Sequence, residues 1–115
     1  MDYDDLIRGY CTGPQMLRAA VARMTAEQLD ARPIPGKWST KRVICHIADF
    51  EPMCVDRMKR VIAEHEPTLL SGDPDLFAAR LAYDSRDVAL ELNLIEACRA
   101  HLGTILRSLF LAMGT

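Results

Sequence analysis

No stretch of this 115-residue sequence approaches the ~20 consecutive apolar residues of a membrane-spanning helix, so no membrane partner is expected. An excess of one charge is missing too. Fourteen Lys and Arg face sixteen Asp and Glu, giving a net charge of −2 with no basic run, which argues against a nucleic-acid partner. The start, Met1-Asp-Tyr-Asp-Asp5, is too acidic for a secretory signal, and a cytoplasmic location is the expectation. Cys11, Cys45, Cys54 and Cys98 show no CxxC spacing and lie inside apolar segments. They read as buried free thiols rather than a disulfide framework. There is no internal repeat, no low-complexity tract and no alternating apolar–polar run, which leaves no candidate strand.

What is present is apolar residue at helical spacing. Half the residues are apolar and 26% charged, the balance of a globular chain, and the length fits one domain, 1–115. Tyr3, Leu6 and Tyr10 begin a short amphipathic piece, which Gly9 and Thr12-Gly-Pro14 interrupt. Thr12 to Gln15 fits a capping box, so the spacing predicts a first helix over about 14–24, with 3–11 as a kinked first half. Its stripe is Leu17, Ala20, Val21 and Met24. Thr25-Ala-Glu-Gln28 is a second capping box. A second long helix runs from Ser39 toward Glu66-Pro67, with Val43, Ile47, Phe50, Cys54 and Val61 as its core stripe and Ile44, Val55, Met58 and Ile62 beside it. Pro52 predicts a kink near 48–51. Leu76 to Tyr83 suits a short helical turn, and Asp84 or Ser85 caps a third long helix carrying Val88, Leu92, Ile95, Leu102, Leu106 and Leu109. The fold class is therefore all-α: three main helices whose wide apolar faces call for a fourth partner, supplied by a second subunit in a homodimer.

The chain is organised around residues 35–51. Pro35-Gly36 signals a turn, Trp38 (the single tryptophan) precedes the cap, and Ser39 is a good N-cap. His46 and Asp49 follow, three apart and so on one helix face, with Glu51 beyond them. His46 reads either as a metal ligand, with Asp49 the one plausible local second donor, or as a hydrogen-bonded histidine at the bundle flank. Asp49 and Glu51 read as acid–base or supporting acceptors, or simply as a polar helix face. Trp38 is expected to be a packing wedge rather than a pocket wall. Cys45 adjoins His46 in sequence, but successive helical residues point about 100° apart, so the two form no Cys–His couple. Arg57, Lys59 and Arg60 form a basic helix face, suited to an anionic substrate or merely solvated.

Pro35-Gly-Lys-Trp-Ser39, followed six residues later by His46-Ile-Ala-Asp-Phe-Glu51, resembles the DinB/YfiT-like metalloenzyme family. The likeness continues through Arg57 and Arg60 and from Arg99 to Leu109. It implies an up-down four-helix bundle, commonly a dimer, with a divalent metal (nickel or zinc) on three histidines. The first family ligand matches His46. The other two form a His-x-x-x-His pair on a fourth helix, and this sequence contains no such pair. His65 and His101 fall outside the family's ligand positions. The resemblance thus implies a member short at its C-terminus, with one metal ligand, His46, and no stoichiometric metal when this chain is taken alone. The function implied is a metal-dependent transferase or hydrolase acting on a small-molecule thiol or electrophile. The alternative is a non-catalytic, self-associating helical bundle that has lost the metal site.

Overall fold

Asp2, Thr25, Ser39, Asp73 and Asp87 open the five helices, and in each case a side-chain oxygen accepts a hydrogen bond from an otherwise free amide of the first turn. In this computed structural model, which describes residues 2–113, α1 is Tyr3–Val21, α2 Ala26–Asp30, α3 Thr40–Ala63, α4 Pro74–Arg80 and α5 Val88–Ala112, with a 3₁₀ turn at Tyr83–Ser85. Met1 of the acidic start, and Gly114 and Thr115 at the end, lie outside the described residues. Among the described residues there is no strand, and no helix is long and apolar enough to cross a membrane.

α5 is the central element: α1 and α3 both pack along it, while α2, α4 and the 3₁₀ turn pack on α3. The main core joins Ile44 and Ala48 of α3 to Leu92 and Ile95 of α5, with Leu17 and Val21 of α1 and Leu29 of α2 against them. A second core lies on the other flank of α3, where Cys45 meets Ala78 and Tyr83 under Trp38 and Phe77. The seam between α1 and α5 is close. A Cβ on Gly103 would come within 2.5 Å of Cys11 Sγ, so glycine is what lets the two helices approach there.

Several expectations are corrected. The first helix is continuous from Tyr3, with Gly9 and Gly13 inside it and Pro14 buried, because α5 holds the segment on one side. α3 is rotated relative to the predicted stripe: Ile44, Cys45, Ala48, Glu51 and Val55 face inward, whereas Val43, Cys54, Met58, Val61 and Ile62 are exposed. Of the four free thiols only Cys45 is buried, and Cys54 is exposed. The third long helix is capped by Asp87, not Asp84 or Ser85, since 83–85 winds into the 3₁₀ turn and Asp84 is gripped by Arg42. Its stripe holds best at Leu92, Ile95 and Leu102.

The exposed side chains of Met58, Val61 and Ile62, with Leu106 and Leu109 of α5, line a shallow apolar groove of about 280 Å³ between α3 and α5. The basic face beside it is partly self-neutralised, because Arg60 pairs with Asp56 and Glu64 at 2.9 Å each.

Candidate functional site

The site begins at a turn. Pro35 and Gly36 occupy its centre, Lys37 N donates to Ile34 O at 3.1 Å, and Gly36 takes φ +79°, a left-handed conformation that glycine adopts without steric cost. Arg32 Nε braces the turn by donating to Lys37 O at 3.1 Å. The chain then enters α3 through Ser39, whose buried hydroxyl accepts from Arg42 N at 3.1 Å. That entry angle lays Trp38 back over the helix as the expected wedge.

His46 is therefore walled by rings. Trp38 meets it edge-on at 5.5 Å between centroids, Phe50 lies at 4.8 Å on the next turn, and Phe77 of α4 continues the row 5.1 Å beyond Phe50. Trp38 in turn meets Tyr83 edge-on at 6.3 Å. His46 is half-buried, and its Nδ1 is fully buried with no hydrogen-bond partner. A buried polar nitrogen left without a partner costs about 1–3 kcal/mol, and no protein group meets this one.

Asp49, the expected local second donor, is turned elsewhere. Its two oxygens accept from Nη1 and Nη2 of Arg86 at 2.6 and 3.1 Å, and Arg86 Nη1 also reaches Glu91 of α5 at 3.4 Å. The Arg86 guanidinium lies 5.0 Å from the centroid of Tyr83, and its Nε donates to Leu81 O at 3.0 Å. The Asp49 bond raises the Arg86 pKa above its ordinary value. Burial, then Asp49, pushes the Tyr83 phenol upward, and its oxygen is buried without a hydrogen bond of good geometry. Burial likewise raises the Cys45 thiol, which donates to Tyr83 O at 3.6 Å. A buried, upward-shifted thiol is not a nucleophile.

Glu51 is neither a polar-face residue nor beside His46. It points into the α1–α5 seam, is 6% exposed, and accepts from Arg99 Nε at 2.5 Å. Arg99 packs over the Tyr10 ring at 5.0 Å. His65 is exposed beyond the Glu64 C-cap of α3, and His101 is exposed on α5 in a shallow groove with Cys98 and Lys59. Neither is brought to His46. Among the described residues no three His, Cys, Asp or Glu side chains converge as metal donors. Since a stable site takes three or four ligands, one imidazole does not by itself fit a resident metal.

The sequence placed Tyr83 only at the end of a short helical turn and gave no role to Arg86, because the connection they share has no periodicity. The signal available was weak: an arginine flanked by Asp84 and Asp87 within one turn of a helix start.

Comparison with known proteins points one way. Residues 12–113 match the DinB superfamily. A protein of Oceanobacillus iheyensis named "Putative metal-dependent hydrolase" is 31% identical over 96 residues, which is 84% of this chain and 55% of that protein. A Bacillus subtilis protein, "Putative metal-dependent hydrolase YfiT", is 27% identical over the same span, 54% of its own length. The solved structure of Bacillus subtilis YfiT, described as "a probable metal-dependent hydrolase with an unusual four-helix bundle topology", superposes with a TM-score of 0.85 at 26% identity, covering 91% of this chain and 60% of that one. The chain thus spans little more than half the length of the relatives it matches.

Proposed function

Because the chain belongs to the DinB superfamily, we propose that it is a metal-dependent transferase or hydrolase scaffold for a small thiol or electrophile, to which His46 contributes one ligand of a divalent metal, nickel or zinc. The observation that carries this reading is His46 itself: a half-buried imidazole in an aromatic wall, with a buried nitrogen that no protein group satisfies. On this reading His46 is one of the three or four donors such a site takes.

A titration with Ni²⁺ or Zn²⁺ followed by NMR of the three histidine rings tests it. The His46 ring resonances are expected to respond first, and the response to vanish in His46→Ala. A response confined to the exposed His65 and His101, or none at all, overturns the assignment.

A second reading rests on a different observation. The α3–α5 groove exposes Met58, Val61 and Ile62 beside Leu106 and Leu109, an apolar strip that a second copy of this chain would cover in a homodimer. On that reading the chain is a non-catalytic, self-associating bundle. A metal-free dimer in sedimentation that Val61→Glu converts to monomer supports it, and a monomer at all concentrations removes it.

A further inference from the structure

The His46 ring has no hydrogen bond at Nδ1 to orient it, so its direction is set by the rings against it. Those rings are Trp38 and Phe50, and each rests on a residue of the connection between α3 and α5: Trp38 on Tyr83, Phe50 on Phe77. The connection is strained where it turns, with Ala82 at φ +57°, so something must hold it there. What holds it is Arg86. One guanidinium forks onto Asp49 of α3, reaches Glu91 of α5, returns to Leu81 O and covers the Tyr83 face.

The geometry points to Asp49 and Arg86 as positioning residues: through Tyr83 and Trp38 they fix the orientation of the His46 ring. Asp49 therefore serves the histidine one turn before it indirectly, by way of a strap closed over the aromatic wall. A second fork, Arg42 to Asp84 at 2.9 and 2.7 Å, ties the same strap to the start of α3. The two differ in exposure: the Asp49 side chain is 13% exposed, that of Asp84 69%. Solvent screens the outer pair, so the inner one dominates. The value of this arrangement to metal binding rests on the ligand reading of His46. The arrangement itself does not.

The test is made on the metal-free protein and uses the single tryptophan as reporter. Arg86→Lys keeps the charge and loses the fork; Asp49→Asn keeps the shape and loses the charge. Each is examined at temperatures where circular dichroism reports intact helices. Both are expected to red-shift Trp38 emission, to raise its acrylamide quenching roughly twofold as the strap opens locally, and to displace the His46 ring resonances. Arg18→Ala, which cuts the exposed pair between Arg18 of α1 and Glu96 of α5, is expected to leave all three unchanged. Variants that lower the melting temperature but keep native Trp38 emission and native His46 resonances would show a merely structural ion pair and overturn the inference. Failure of His46 to take up metal would remove the ligand reading and leave these readouts intact.

Discussion

Nη1 of Arg99 donates to the carbonyl oxygen of Tyr10 at 3.4 Å, across the seam between α1 and α5. That carbonyl is the one Pro14 leaves without an intrahelical amide, four residues on. Arg99 fills the vacancy, and Gly13 makes room for it, since a Cβ there would stand 2.6 Å from Nη1. This is how α1 runs unbroken through a glycine–proline pair that in isolation would end it. The same guanidinium pairs with buried Glu51, so one residue of α5 repairs α1 and neutralises α3.

Arg99→Met is accordingly expected to destabilise the fold by about 3–5 kcal/mol, because it strands a buried carboxylate and reopens the Tyr10 carbonyl. Urea denaturation measures it. Glu51→Gln in the same chain should recover part of the loss, and Pro14→Ala should help the Arg99→Met chain more than the parent, by about 1 kcal/mol for the restored bond. Additive effects would show that the three residues do not act together.

Gly103→Ala separates a close helix contact from helix propensity. Propensity alone favours alanine by about 0.5–1 kcal/mol. The contact with Cys11 Sγ opposes it, and overpacking of this kind costs about 1–3 kcal/mol. The expected sign is destabilising. Cys11→Ala should reverse it, leaving the double variant at least as stable as Cys11→Ala alone in thermal denaturation.

Stability is expected to fall in alkali. Burial, then Glu51, pushes Tyr10 up from 10.0 to about 12, and burial raises Cys45 above 9.0. Both groups hold their proton more tightly folded than unfolded. Their contribution is complete below pH 9, declines for Cys45 above that value, and for Tyr10 is lost between about pH 10 and 12. Tyr10→Phe should flatten the profile in the upper part of that window and leave it unchanged at neutral pH. Melting temperature recorded against pH decides it.

Family and architecture are legible in the sequence, because the features that carry them are local. The Thr25 box, the Ser39 cap, the Pro35-Gly36 turn and the Trp38 wedge each depend on atoms within a few residues, and each appears as expected. The match to the DinB superfamily and the superposition on YfiT agree with the family likeness of the Trp-Ser…His…Asp segment.

The roles of the acids near His46 were not legible. A helical period says which residues share a face, not which way that face turns, and α3 is rotated so that Glu51 is buried while Cys54 and Val61 are exposed. Asp49 finds its partner 37 residues away and Glu51 finds its own 48 away, both arginines whose sequence surroundings look like ordinary surface. The sequence by itself determined the helices, their caps and the placing of His46 behind a tryptophan, since those rest on hydrogen bonds and sterics within a turn or two. The packing of α1 and α3 on α5 decided the rest: which carboxylates are spent on arginines, where a proline is tolerated, and which rings stand against His46. Burial makes an unpaired charge too costly to leave, and only the assembled fold can say which charge is nearest.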